Sequence, residues 1–214
     1  MADIFREVDD DLKHDRQLAL WKRYGNYVIG VALLIVLATA GTVFWRDYQE
    51  GQREAEGERF AIARDLAEGE RTAEAIAAFA ALARDAGAGY ATLSSLEEAA
   101  LRAQSGDGTG AVTIYERIAA DSGVDSMYRD LASLLLVLHS FDSGDPQALA
   151  ARLAPLRADA NPWRYTAGEL SALLAAAGGD RAQARGILTA LTSDPNTPPG
   201  LRARAVEHLA VLGE

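Results

Sequence analysis

Beyond residue 46 the apolar positions recur with a helical period, and the pattern itself repeats. Four segments begin at Glu70, Gly106, Gly144 and Gly179. Their sixth positions are Ala75, Ala111, Leu149 and Ala184, their tenth Phe79, Tyr115, Leu153 and Leu188, and their thirteenth Leu82, Ile118, Leu156 and Leu191. A small–large–large triad spaced 4 then 3 is one face of a helix. An acid closes each segment (Asp85, Asp121, Asp159, Asp194), at separations of 36, 38 and 35 residues. Sixteen residues before the last three segments stand Tyr90, Tyr128 and Trp163, each opening another apolar-periodic stretch. Periods of this size mean stacked helix pairs, in which no pair buries its apolar stripe alone.

Turn chemistry marks the boundaries. Ser105, Gly106 and Asp107, then Ser143, Gly144 and Asp145, then Gly178, Gly179 and Asp180 each end one helix on Gly and start the next with an Asp N-cap. Asn161 with Pro162, and Thr197 with Pro198, read as an N-cap followed by Pro at the first helical position. The pattern predicts helices over 52–69, 72–85, 89–104, 108–121, 125–141, 146–158, 162–177, 181–193 and 198–212. The last is expected to cap the stack with Arg202, Arg204 and Glu207 facing out. The expected fold class is all-α: an N-terminal transmembrane helix, then an α-solenoid of about four helix pairs plus a capping helix.

The span is residues 24–45, uncharged between Arg23 and Arg46. A helix of that length covers about 33 Å, matching a hydrocarbon core of about 30 Å. Tyr24 and Tyr27 stand at one end and Phe44 and Trp45 at the other, an aromatic belt. A cleaved signal peptide is the competing reading, because Ala38, Thr39 and Ala40 form an A-x-A site. Against it stand a long, acid-rich leading segment and the apolar start that cleavage would leave. Basic residues balance on the two sides of the span, so orientation rests on Lys22 and Arg23 beside its first end. The expected domains are a cytoplasmic tail over 1–23, a transmembrane helix over 24–45 and a repeat domain over 46–214 outside the cytoplasm. In the tail, Ile4, Val8 and Leu12 make a short amphipathic stripe suited to docking or to nothing.

Composition narrows the chemistry. The net charge is −10 over 214 residues, nearly all of it after the span. An acidic surface repels phosphate backbones, so nucleic acid is not an expected partner. Cysteine is absent, which removes disulfides, thiolate metal sites and thiol nucleophiles. The three histidines, His14, His139 and His208, have no metal-ligand spacing and read as surface or rim residues. Gly106, Asp107, Gly108, Thr109 and Gly110 look superficially like a phosphate loop, but no Lys follows and no strand precedes them. No cofactor, metal, small-molecule substrate or catalytic group is expected, and the chain reads as a non-enzyme. The regular acids Asp85, Asp121, Asp159 and Asp194 suit turns, or an acidic edge for a basic partner. Aromatics at the starts of first helices suit core packing or partner contact. The partner-binding candidates are Tyr90, Glu97, Tyr128, Arg129, Trp163, Arg164, Tyr165 and Glu169.

The second-helix signature, in Ala75, Phe79 and Leu82 and in Ala111, Tyr115 and Ile118, resembles the tetratricopeptide family. The family's Trp and Gly of the first helix are missing apart from Trp163, and the period exceeds 34. The whole layout is similar to something narrower: a short charged tail, a span ending in Trp, a tetratricopeptide-like domain, and the run Tyr90, Ala91, Thr92, Leu93, Ser94, Ser95, Leu96, Glu97, Glu98, Ala99. It resembles the ancillary subunits of the bacterial Sec translocon. The resemblance implies an inner-membrane protein facing the periplasm. Its expected partners are the Sec channel, a membrane-anchored periplasmic chaperone of the prolyl-isomerase class and exported polypeptides, with the lipid bilayer met through 24–45. An adaptor for envelope assembly or cell division is the alternative.

Overall fold

The computed structural model describes the backbone of residues 2–213, and the side chains of 22–24, 26–27, 29–31 and 33–213. The side chains of Ile4, Val8, Leu12 and His14 lie outside the described residues. Among the described residues every regular element is helical: α1 (Ala2–Glu68), α2 (Thr72–Asp85), α3 (Ala88–Gln104), α4 (Gly108–Ala120), α5 (Ser126–His139), α6 (Pro146–Leu153), α7 (Arg164–Ala177), α8 (Arg181–Ser193) and α9 (Pro199–Gly213), with a single 3-10 turn at Pro155–Arg157. Two compact units divide the chain, Met1–Glu54 and Ala55–Glu214.

The first unit holds the apolar stretch. The helical stretch Ile29–Glu68, which begins here, contains an 18-residue run apolar enough to cross a membrane, with mean hydropathy 1.9 and none of that run buried. Ile29, Val31, Leu33, Leu34, Ile35, Val36 and Leu37 are all more than half exposed. Thr39 and Thr42 turn their hydroxyls back onto the carbonyls of Ile35 and Thr39, so neither leaves a donor facing outward. Helix α1 also takes in the stretch expected over 52–69. Residues 46–51 contain no Pro, and the one Gly, Gly51, costs a helix only about 1 kcal/mol.

The second unit is an all-helical solenoid in which neighbours in sequence are neighbours in space. α2 packs on α3, α3 on α4, α4 on α5, α7 on α8 and α8 on α9, while α3 also touches α5 and α7 touches α9. All twelve residues of the repeated triad are buried, from Ala75, Ala111, Leu153 and Ala184 at 0% exposure to Leu191 at 8%. Burying a large apolar side chain stabilises by about 1.5–3 kcal/mol, so the triads hold the array together. The small residue lets the first helix of the pair approach, and the two large ones fill the space on either side. Tyr115 and Phe79 are the largest fully buried side chains. Phe79 packs edge-on against Phe60 of α1 at 5.4 Å, and Tyr115 stacks on His139 at 5.6 Å.

Each triad is registered by the turn that precedes it. In three links, residues 69–71, 105–107 and 178–180, the same pair of backbone bonds closes the outgoing helix. Arg71, Asp107 and Asp180 donate five residues back to Leu66, Arg102 and Ala175, and Glu70, Gly106 and Gly179 donate three back. This is the Schellman closure, which needs a left-handed residue at its centre. Gly106 (φ +91°) and Gly179 (φ +86°) supply it without strain, while Glu70 adopts φ +58° despite its side chain. Asp107, Asp145 and Asp180 then cap α4, α6 and α8 as expected, accepting from the amides of Gly110, of Gln147 and Ala148, and of Gln183. Asp125 caps α5 in the same way, accepting from Met127.

Four boundaries differ from expectation. α5 ends at His139, not 141, and a longer turn follows in which Gly144 donates to Ser140 at 2.7 Å. That turn accounts for the longest repeat. α6 ends at Leu153 instead of running to 158, because Pro155 has no N–H to donate and crowds the preceding turn; a 3-10 turn carries Leu156 into the core instead. Asn161 does not cap α7: its side chain accepts from Trp163 in a local turn, and the helix starts at Arg164. Thr197 does not cap α9 either; it is buried with its hydroxyl unpartnered, and α9 starts at Pro199. The capping helix is tied inward more than expected. Arg202 donates to the carbonyls of Asp194, Pro195 and Thr197, and the exposed Arg204 reaches in to Glu169, while Glu207 is exposed as expected.

The left-handed Glu70 is the one repeat turn closed without glycine. Glu70→Gly is expected to raise stability by about 1 kcal/mol and Gly106→Ala to lower it by about the same. Thermal melts of the full chain followed by helical circular dichroism check both, and equal shifts of the same sign would contradict the turn argument.

Candidate protein-binding surface

The first helices of successive pairs, α3 and α5, meet along a groove of about 400 Å³. Leu93, Leu96 and Ala100 line it from α3, and Leu131 and Leu135 from α5. Tyr128 stands at its α5 end, Tyr115 and His139 stack in its wall, and Glu97 and Gln104 supply the polar rim. Helix periodicity explains the choice of residues: 93, 96, 97, 100 and 104 share one face of α3 at 3.6 residues per turn. Burial pushes the Tyr115 phenol up from its ordinary range, helped by the negative charge of Glu97. A mostly apolar groove with a few polar groups at its rim is suited to holding a polypeptide segment, and it offers no converging acid, base or nucleophile.

Two of the eight candidates, Glu97 and Tyr128, therefore share this groove. The others lie elsewhere. Tyr90 is half-buried and packs on Phe60 of α1 at 5.7 Å between ring centres. A Cβ added at Gly57 would stand 2.8 Å from the Tyr90 hydroxyl, so Gly57 is what lets the ring lie against α1. Trp163 packs against the central core and its indole N–H donates to the Met127 carbonyl at 3.1 Å. Arg129 is half-buried, with an Nε that has no partner.

Arg164 and Tyr165 form a second cluster beside Asp159 and Asp194, in a smaller concavity of about 170 Å³. The Arg164 guanidinium lies 4.2 Å over the Tyr165 ring and donates to the Asp159 carbonyl at 2.7 Å and to the Tyr165 hydroxyl. Tyr165 in turn donates to the Asp194 carboxylate at 3.0 Å. The backbone amide of Asn196, then Tyr165 and Arg164, hold the Asp194 carboxyl below the usual range. Asp121 makes the corresponding turn with Gly123, whereas Asp85 pairs loosely with Arg59 at 3.9 Å. The regular acids are thus turn formers in two repeats and not in all four.

Glu169 is buried in α7 and takes both oxygens to Arg204 of α9 at 2.7 Å each, with His208 at 3.8 Å. It fastens the capping helix. His208 accordingly meets a carboxylate across two helices, a pairing 39 residues apart that no local spacing announces. Glu98 is the polar residue that sequence reasoning missed: it is 6% exposed in α3 and bound by Arg102, which also holds Asp107. The i,i+4 spacing of Glu98 and Arg102 was the available signal.

The tetratricopeptide repeat-like domain family matches residues 19–193, a stretch that takes in the apolar segment as well as α2 to α8. The chain belongs to this family. Searches of curated proteins and of solved structures returned no match. Membership makes the repeat unit a protein–protein interaction scaffold, a class of module that is generally non-catalytic.

Two outcomes follow from these contacts. Arg204→Ala strands a buried carboxylate and is expected to cost about 2 kcal/mol, discounted from the fully buried case because the guanidinium is half exposed. Glu207→Ala should move the melt by less than about 0.5 kcal/mol. The folded Asp194 carboxyl titrates below its unfolded value. Its contribution is therefore complete above the ordinary aspartate range near 3.9 and is lost as pH falls through the lower folded value. Acid titration of the melting temperature between about pH 5 and pH 2 should be shallower in Asp194→Asn than in the parent chain.

Proposed function

We propose that this protein is a membrane-anchored scaffold that holds polypeptide segments in the α3–α5 groove, as an ancillary subunit of the bacterial Sec translocon. The observation that carries the reading is the groove itself, with Leu93, Leu96, Leu131 and Leu135 gathered between Glu97 and Tyr128. The second support is the row of exposed apolar side chains from Ile29 to Leu37, which in water would be an uncovered apolar surface and in lipid is at home.

In this reading residues 1–23 are a cytoplasmic tail, 24–45 span the inner membrane, and 46–214 face the periplasm. Lys22 and Arg23 favour that orientation. The partners are the Sec channel, a membrane-anchored periplasmic chaperone and the newly exported chains that pass between them. An unfolded chain presents apolar side chains to a groove that asks for little sequence detail. Tethering raises the local concentration of the groove beside the exit site, so weak contacts suffice.

Photocrosslinking in living cells tests this. A photoreactive residue at 97 or 128 is expected to trap many exported chains and translocon subunits, and one at 90, packed on α1, to trap few. Protease added to spheroplasts should digest residues 46–214 and spare the tail. A single stoichiometric partner outside the translocon would replace this reading with the envelope-assembly adaptor.

A further inference from the structure

The face of α3 that looks away from the α3–α5 groove has its own concavity. Residues 91, 95, 98 and 102 lie half a turn around the helix from 93, 97, 100 and 104. Between them, α2 and α4 form the walls of a furrow along α3. Two hollows make up this furrow, of about 400 and 260 Å³, and they share Ala83 and Arg117. Ala80, Ala83, Ala91 and Ser95 keep its walls and floor low. From Ala91 to Arg102 it runs about 16 Å, the length of about five extended residues.

Its charge is the reverse of what the chain as a whole suggests. Three arginines, Arg84, Arg102 and Arg117, converge on the larger hollow. Arg102 is fully engaged by Glu98 and Asp107. Arg84 and Arg117 are exposed, and among the described residues neither has a hydrogen-bond or ion-pair partner. Each sits in the last turn of its helix, where the helix dipole favours a cation. The dipole explains each arginine singly; it does not explain two unpaired ones facing a single hollow in a chain of net charge −10. At the other end of the furrow stands Asp121, which disfavours a second acid there.

We infer that this furrow is a second docking surface, which takes a short extended segment of a protein partner carrying acidic side chains at its Arg84–Arg117 end and small, uncharged residues toward Asp121. α3 then separates two surfaces of opposite preference: an apolar groove with Glu97 at its rim and a cationic furrow behind it. The scaffold can hold two partners at once, one on each side of the same helix.

The test uses the full chain in nanodiscs of zwitterionic lipid and a fluorescein-labelled hexapeptide of Ala, Ser and Glu, with a Gln-for-Glu peptide as control. Anisotropy should show saturable binding of the Glu peptide and none of the Gln peptide. Arg84→Gln and Arg117→Gln should each weaken it about tenfold, the worth of one charge-assisted hydrogen bond. Ala83→Phe, which fills the furrow, should abolish it, with helical content checked by circular dichroism. Tyr128→Ala should leave it unchanged while removing crosslinks in the α3–α5 groove, so the two surfaces fail independently. Equal binding of both peptides, full competition by inorganic phosphate at the peptide's own concentration, or arginine-dependent sedimentation with phosphatidylglycerol vesicles in place of peptide binding would overturn the inference.

Discussion

The constraint on which the repeat unit depends is that a two-helix pair cannot bury its own stripe. The triads Ala75/Phe79/Leu82, Ala111/Tyr115/Ile118, Leu149/Leu153/Leu156 and Ala184/Leu188/Leu191 are all buried, yet each reaches that state only with the help of the next first helix. Stability is therefore shared along the stack, and the ends are where it runs out. At one end Phe60 and Ala63 of α1 cover Phe79 and Ala75. At the other, α9 covers Leu188 and Leu191 with Leu201 and Ala205. Because α9 is weakly amphipathic and leaves Val206 and Val211 exposed, apolar burial alone does not fix it. The Glu169–Arg204 pair supplies direction instead, since a buried carboxylate accepts only one placement of its partner.

Much of this was legible in the sequence because the forces involved are local. The period of the apolar positions located α2, α4 and α8 to within a residue, and Asp at the turn after Gly located the starts of α4, α6 and α8. Where proline chemistry competes with that period the boundary moves: Pro155 cuts α6 short, and Pro199, not Pro198, opens α9. The departures at Asn161 and Thr197 share a cause. Both precede a Pro, which resembles a capping sequence, but tertiary demands took their side chains elsewhere, Asn161 to Asp130 and to Trp163, and Thr197 into a buried position.

The binding residues were less legible, for a physical reason. An aromatic that opens a first helix looks alike whether it packs inward or outward. Tyr90, Tyr128 and Trp163 occupy one repeat position, yet Tyr90 lies on α1, Tyr128 lines a groove, and Trp163 joins the core while bonding Met127. What separates them is the neighbour each meets, and that is set by the length of the intervening turn and by residues as distant as Gly57. Charge was still harder to place. Glu97 and Glu98 are adjacent in sequence and almost identical chemically, but a rotation of about 100° along α3 puts one at an open rim and the other under Arg102.

That single step of rotation also governs what the scaffold can do. Helix α3 leaves a hollow on two of its faces, one beside α5 and one between α2 and α4. On one side the large residues Leu93 and Leu96 make a surface that rewards apolar side chains of any sequence. On the other, small residues lower the floor of the furrow, and the arginines at the rim add a charge requirement. A surface of the first kind retains unfolded chains indiscriminately and weakly, while one of the second kind discriminates. With both on one helix, as proposed, the second surface would choose where the complex sits while the first handles whatever passes, because neither contact has to be both selective and permissive.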